Sequence, residues 1–103
     1  MYKLNYFVPQ DAKEKTKEAL FNVGAGQFRN YDCCCFESEG IGQFRPLDGA
    51  NPYIGKHNKI EYVKEYKVEM ICEDKLIKKA VKVLKEAHPY EEVAYEVIKL
   101  EDF

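Results

Sequence analysis

The chain has 103 residues, of which 46% are hydrophobic and 33% charged, and its formal net charge is −2. This length suits one domain, expected over residues 1–103, and the nearly balanced charge gives no reason to expect a nucleic-acid or anionic-membrane partner. No apolar run approaches the roughly 20 residues that span a bilayer, and the opening MYKLNYFVPQ has no secretion signal, so we expect a cytoplasmic protein.

The first part of the chain predicts a strand followed by a helix. Polar and apolar residues alternate over residues 2–8, and Pro9 ends the pattern. Asp11, followed by Glu14, resembles a helix N-cap with its capping-box partner, and Gly24 lies where such a helix would stop. The helix would bury one apolar face, made of Ala12, Ala19, Leu20 and Val23.

A second strand is predicted over residues 28–39, which includes three consecutive cysteines. Successive side chains of a strand point to opposite faces, so Cys33 and Cys35 would share one face. A Gly-rich segment, residues 40–59, follows, in which residues 43–45 could form a short strand. A loop of this length in a small domain is usually functional or disordered, and its aromatic residues favour order.

The last part of the chain predicts a long strand, a helix and a short strand. Most apolar and aromatic residues occupy even positions over residues 59–73, whereas most charged residues occupy odd ones, which is typical of a half-buried antiparallel strand. Asp74 would cap the helix and Pro89 would end it, with a closing strand over residues 93–100. The buried stripe of the helix would contain Leu76, Ile77, Ala80, Val81, Leu84 and Ala87.

This order of elements predicts an α+β fold of the ferredoxin-like, split β-α-β kind, with two helices on one face of a four-stranded antiparallel sheet. The middle strands would form an extended hairpin, and the opposite sheet face would be bare in a monomer. We therefore expect a homo-oligomer, with a trimer favoured and a dimer as the alternative.

Polar residues of the Gly-rich segment form a first candidate site. These side chains could receive a small anionic or nucleotide-like ligand, because glycine amides can also form an anion-binding nest. The alternative is an interface loop whose glycines serve turns. The candidate residues are Arg45, Asn51, Tyr53, Lys56 and His57.

The run His88-Pro89-Tyr90-Glu91-Glu92 forms a second candidate site. A histidine at a helix end gains from the helix dipole, and the proline stops the helix, so both have a structural explanation. The neighbouring carboxylates could instead bind a cation, or act as acid and base in a metal-assisted hydrolase using His88, Glu91 and Glu92.

The consecutive cysteines form a third candidate, a copper or zinc site. Thiolates of Cys33 and Cys35 could bind Cu(I) or Zn with help from a neighbouring subunit, and His88 and Glu91 are further candidate metal ligands. The alternative is that the cysteines pack as small apolar side chains. No metal or other cofactor follows with certainty from the sequence.

Three segments carry a resemblance to a known family: GQFRPLDGANPYIG at 42–55, YKVEM at 66–70 and EAHPYEEVAYEV at 86–97. They resemble the inserted domain of the NGG-one-interacting-factor-three-like proteins, over essentially the whole chain. That domain is similar to the CutA and PII signalling proteins, which are ferredoxin-like trimers. CutA-like chains carry a segment comparable to HPYE at 88–91 where they enter their last strand.

The resemblance implies a small oligomeric module, expected as a stand-alone chain, that binds a ligand or metal between subunits and signals to a protein partner. Full-length relatives resemble two lobes that hold two metal ions around this insert. Neither lobe occurs here, and His57 and His88 lie outside any lobe motif, so an enzymatic role is not implied. The family pattern also implies a histidine near position 33, where Cys33 stands.

Overall fold

The computed structural model describes all residues, 1–103. Its strands form one antiparallel sheet in the order β2-β3-β1-β4, as the predicted ferredoxin-like topology requires. Neither helix is long and apolar enough to cross a membrane. The elements are β1 (Tyr2–Pro9), α1 (Gln10–Asn22), β2 (Phe36–Phe44), β3 (Glu61–Cys72), α2 (Ile77–Ala87) and β4 (Tyr95–Lys99).

The core lies between the two helices and one face of the sheet. The alternation in β1 and β3 places apolar residues on this face, and the helices contribute the facing layer. Fully burying a large apolar side chain stabilises a fold by about 1.5–3 kcal/mol, so this layer holds the domain together. Its most buried apolar members include Leu4, Tyr6, Val8, Leu20, Val68, Met70, Ala80 and Leu84.

One polar contact inside this core was not predicted from the sequence. The Thr16 hydroxyl is fully buried and lies 3.0 Å from the backbone carbonyl of Ala12, to which it donates. The Tyr6 hydroxyl lies 2.8 Å from the Thr16 hydroxyl oxygen and donates to it, because the Thr16 proton already points to a backbone carbonyl. Burial raises the pKa of Tyr6 to about 12, so the phenol stays protonated and can keep donating.

The predicted second strand is wrong in its first half. Residues 28–35 form a compact turn region, in which Arg29 and Cys33 have positive φ values of 54° and 55°. An extended strand cannot pass through such a backbone, so β2 begins only at Phe36. The strand then continues to Phe44 and includes Gly42, which the sequence had placed in a loop.

Both predicted side-chain caps are also wrong. Pro9 occupies the N-cap position of α1, so Asp11 lies inside the first turn and makes no capping bond. The N-cap of α2 is Leu76, again without a side-chain bond. Asp74 instead pairs with the terminal amine of Met1.

The predicted extended hairpin is present. Pro9 is the last β1 residue that pairs with β3, opposite Glu65, so residues 61–64 of β3 have only β2 as a neighbour. The molecule is elongated and measures 46 × 25 × 24 Å. Ile41 is 77% exposed and Tyr62 is 64% exposed on this hairpin.

Candidate ligand-binding site

The segment that joins β2 to β3, residues 45–60, is called here the β2–β3 loop. It folds back into the space beside the projecting hairpin, beyond the end of β1. The backbone N–H of Asn51 donates to Glu91 Oε1 at 2.9 Å, and the Tyr53 hydroxyl donates to Asp11 Oδ2 at 3.2 Å. The loop therefore contacts its own chain, where the sequence interpretation placed a neighbouring subunit.

Hydrogen bonds inside the β2–β3 loop give it a defined shape. The backbone N–H of Asn58 donates to the carbonyl oxygen of Pro46 at 2.6 Å. His57 Nε2 lies 2.7 Å from the carbonyl oxygen of Ala50, so this side chain fastens the loop. Gly55 has a φ of 97°, a backbone conformation that glycine adopts without strain. The predicted order of this segment is thus achieved by backbone and side-chain bonds together.

A cavity of about 450 Å³ lies between the β2–β3 loop and residues 90–94, and we call it the loop cavity. Three aromatic rings line it. The ring centroid of Tyr90 lies 6.3 Å from that of Phe44 and 6.1 Å from that of Tyr53, with tilts of 52° and 46° between the planes. Further apolar lining comes from Pro46, Leu47, Ala50, Pro52, Ile54 and Ala94.

The charged lining of the loop cavity is mainly negative. Glu65, Glu91 and Glu92 contribute carboxylates, and Arg45 contributes a guanidinium. The hydroxyl oxygen of Tyr90 is buried near the Glu65 carboxylate and makes no hydrogen bond of regular geometry. Burial, followed by the nearby Glu65 carboxylate, raises the pKa of Tyr90, so its hydroxyl stays protonated.

Gly42 makes room for the Glu65 side chain. A Cβ atom at Gly42 would come within 1.8 Å of Glu65 Oε1, whereas a Cβ atom at Gly40 would meet nothing within 4 Å. Gly42 is therefore needed for the close approach of a side chain, because its own φ is not in the left-handed region. This contact joins different strands, and no pattern in the sequence reveals it.

His88 does not line the loop cavity, but it packs against Tyr90, which does. It is only 5% exposed, and its Nε2 donates to the carbonyl oxygen of Phe7 at 2.7 Å. Its Nδ1 accepts the backbone N–H of Tyr90 at 3.1 Å, which fixes the neutral ring tautomer. Burial lowers the pKa of His88, in agreement with a neutral side chain.

The two predicted sites meet at this single cavity, although not all of their residues line it. The lining includes the predicted Arg45, Tyr53, Tyr90, Glu91 and Glu92. Outside the lining lie Asn51, Lys56, His57 and His88. Phe44, Leu47 and Glu65 also line the cavity, and they were not predicted from the sequence. Nothing in the sequence suggested that these strand and loop positions would lie near HPYEE.

The cysteines do not share a strand face as expected. They lie in the turn region before β2, where Cys33 is exposed and Cys35 is partly buried against the core. Burial raises the pKa of the Cys35 thiol, which favours its protonated form. No group of three or more His, Cys, Asp or Glu side chains could hold a metal ion, so the predicted metal ligands would need a second chain to complete them.

No protein-family model matches the chain. Curated relatives match it nonetheless. It is 42% identical over 99 residues to the GTP cyclohydrolase 1 type 2 homolog of Bacillus subtilis, covering 96% of this chain and 26% of the relative. It is 43% identical over 100 residues to the protein of the same name from Halalkalibacterium halodurans, covering 97% of this chain and 27% of the relative. The chain thus spans about a quarter of the length of these relatives.

Solved structures match as well. A Bacillus cereus protein related to NIF3 has a TM-score of 0.84 and 40% identity, covering 98% of this chain and 26% of that protein. Pyrococcus horikoshii CutA has a TM-score of 0.73 and 21% identity, covering 100% of this chain and 87% of that protein. The periplasmic divalent cation tolerance protein CutA of Archaeoglobus fulgidus has a TM-score of 0.71 and 15% identity, with coverages of 100% and 87%. The predicted CutA-like α+β fold is confirmed.

Proposed function

We propose that this chain is a ligand-binding, non-enzymatic module of the NGG-one-interacting-factor-three-like family, folding as one domain over residues 1–103 and acting in the cytoplasm in a regulatory role. The observation that carries the proposal is the loop cavity. A Gly-rich segment and HPYEE, far apart in sequence, close around a space large enough for a small molecule.

The hydrogen bonding of the histidines supports a binding role over catalysis. His57 bonds to Ala50 in the loop, and both ring nitrogens of His88 already have backbone partners. A histidine that acts as a general base needs a free ring nitrogen within reach of its substrate.

Self-association is the second part of the proposal, with a trimer favoured and a dimer as the alternative. Large apolar side chains remain exposed on both middle strands, since Ile41 of β2 is 77% exposed and Tyr62 of β3 is 64% exposed. A second copy that covered these side chains would remove apolar surface from water. Such an assembly could also bring a ligand of one chain near another, and present a surface to a protein partner.

Calorimetry and light scattering test the two parts separately. Titration of the purified chain with nucleotides, small organic ions and divalent metals should give saturable binding that Tyr90→Ala weakens, because the ring lines the loop cavity. Light scattering should give a multiple of the 12.0 kDa chain. The absence of binding across all these ligands would refute the ligand-binding role, whatever the oligomeric state.

A copper- or zinc-binding role is a second candidate, favoured by the consecutive cysteines in one turn region and by the exposure of Cys33. The fold is also that of proteins named for divalent cation tolerance. Copper titration monitored by thiolate-to-metal absorption should then respond to Cys35→Ser. Unchanged metal affinity in this variant would eliminate the thiol site.

A metal-dependent hydrolase built on His88, Glu91 and Glu92 is the third candidate, and the name of the curated relatives favours it. It predicts metal bound in stoichiometric amount after purification. Elemental analysis of the purified chain, followed by GTP hydrolysis assays after metal loading, tests this role. A metal-free and inactive chain under both conditions would exclude it.

A further inference from the structure

The aromatic rings and carboxylates of the loop cavity indicate what kind of ligand it takes. Resting on the proposed ligand-binding function, we infer that this cavity binds an organic cation, an ammonium group carried on a short aliphatic chain. The charge of this ligand is opposite to that of the anionic or nucleotide-like ligand expected from the sequence.

Three tilted aromatic rings provide the first part of the argument. Phe44 and Tyr53 both lie near Tyr90, with centroid separations of 6.3 and 6.1 Å, and all three line the cavity. The face of an aromatic ring is the negative end of its quadrupole, so it attracts an ammonium group and its attached methylene groups. The remaining apolar lining, which includes Leu47 and Ile54, suits the aliphatic part of such a ligand.

The carboxylates provide the second part of the argument. Three carboxylates and one guanidinium line the cavity, so an anion would meet net repulsion there. Arg45, the guanidinium, is an exposed residue of the loop. Glu65 takes part in no side-chain ion pair. The lysines that form such pairs bond to other carboxylates; they are Lys3, Lys13, Lys17, Lys64 and Lys75. A half-buried carboxylate without a counter-charge is stabilised when a cation binds beside it.

The Tyr90 hydroxyl provides the third part. It is buried next to the Glu65 carboxylate, yet it makes no hydrogen bond of regular geometry to that group or to any other. Buried polar groups that lack a partner are uncommon in folded proteins. A ligand that reorders the Glu65 carboxylate, or brings a polar group of its own, would satisfy this hydroxyl.

A matched pair of glycine variants separates Glu65 from the rest of the fold. In Gly42→Ala, the new Cβ would lie 1.8 Å from the present position of Glu65 Oε1, so the carboxylate must move. In Gly40→Ala, on the same strand, the new Cβ meets nothing within 4 Å. Glu65→Gln removes the charge while it keeps the size of the side chain, and it serves if Gly42→Ala fails to fold.

The experiment is a titration of the isotopically labelled chain, followed through backbone amide chemical shifts. The probes are n-butylammonium, trimethylbutylammonium, 1-butanol and butyrate, and N-acetyl-lysine methylamide represents a lysine side chain of a peptide. The ammonium probes should shift amides around Tyr53, Tyr90 and Glu91. Both Gly42→Ala and Glu65→Gln should weaken this binding roughly five- to tenfold, as for the loss of one charge-assisted contact. Gly40→Ala should bind as the unaltered chain does.

The pattern across the probes decides the inference. Tighter binding of the lysine probe than of n-butylammonium assigns the cation to a peptide, and the reverse assigns it to a free amine; both support an organic cation. Equal binding of 1-butanol, or stronger binding of butyrate, overturns the cation inference while the ligand-binding function stands. No binding of any probe, nucleotide or metal refutes both.

Discussion

The helix-covered side of the sheet and the end occupied by the β2–β3 loop are ordered in different ways. Under the helices, residues such as Leu20 and Leu84 are completely buried. At the loop end, exposed hydrogen bonds fasten the loop to its own chain, as between Asn51 and Glu91. Burial of apolar surface holds one region, and a few solvent-accessible polar contacts hold the other.

This difference separates global stability from binding. A region with many exposed backbone bonds and few buried apolar contacts opens locally at low cost in free energy. The loop end can therefore open to admit a ligand while the helix-covered side stays folded. Four predictions test how complete this separation is.

The largest expected difference comes from the same substitution in the two regions. Leu84→Ala should lower the free energy of unfolding by about 2–5 kcal/mol, because it leaves a cavity in the packed core. Leu47→Ala, at a loop residue that is 58% exposed, should change it by less than about 0.5 kcal/mol. Urea denaturation followed by circular dichroism measures both. Similar losses in the two variants would show that the loop end is part of the cooperative core.

His88 connects the two regions, and it should make stability depend on pH. Burial lowers its folded-state pKa below the ordinary value of 6.5, so the unfolded chain binds a proton more readily than the folded chain does. The contribution of His88 to the free energy of unfolding should therefore be complete above about pH 6.5. It should fall as the pH drops toward the folded-state pKa, by at most about 1.4 kcal/mol per pH unit. Urea denaturation at about pH 7.5 and about pH 5.5, carried out at the same ionic strength, measures this change in the free energy of unfolding.

Two histidine variants provide the control for this pH dependence. His88→Gln should lose most of the slope, because the titrating group is gone. His57→Gln should keep it, since His57 is an exposed residue of the loop. A slope that persists in His88→Gln would place the titrating group elsewhere.

Removal of one phenolic hydroxyl from the core should have an intermediate effect. Tyr6→Phe loses the 2.8 Å bond that the phenol donates to the Thr16 hydroxyl. The expected loss of unfolding free energy is about 0.5–1.5 kcal/mol, because Thr16 retains its own backbone acceptor. Thermal unfolding with a calorimeter would detect it, and an unchanged midpoint would mean that the bond contributes nothing net.

The same change in the loop should have the smallest effect on global stability. Tyr53→Phe removes the exposed 3.2 Å bond to Asp11 but keeps the ring that lines the loop cavity. The free energy of unfolding should change by less than about 0.5 kcal/mol. The loop should nevertheless open more often, and limited proteolysis within residues 45–60 should be faster than in the unaltered chain. Equal proteolysis rates would show that other bonds hold the loop closed.

The sequence predicted the helix-covered side better than the loop end. In β3 the alternation of even and odd positions gave the strand and its buried face, and the stripe of α2 gave its core residues. Both depend on repeats that burial imposes on neighbouring residues. The prediction was wrong for the first half of the second strand. Arg29 and Cys33 have positive φ values there, which their residue types gave no reason to expect.

Only part of the candidate site could be found in the same way. The composition of residues 40–59 and of HPYEE marked both segments as unusual, and the structure brings them together at one cavity. Glu65 gave no such signal, because it looked like any other charged residue on the outward positions of β3. Its place in the cavity depends on Gly42 of the neighbouring strand, which is a contact between residues distant in sequence.

Local patterns in the sequence were enough to predict the order of strands and helices, the buried faces and the two segments that carry unusual chemistry. These follow from local periodicity and turn chemistry, which each stretch of chain expresses on its own. Three contacts could be seen only in the folded chain. The β2–β3 loop contacts HPYEE, His88 bonds to the backbone of Tyr90, and the Glu65 side chain lies over Gly42. Those arrangements depend on where β1 ends beside a longer hairpin, a difference in strand length that exists only once the sheet has formed.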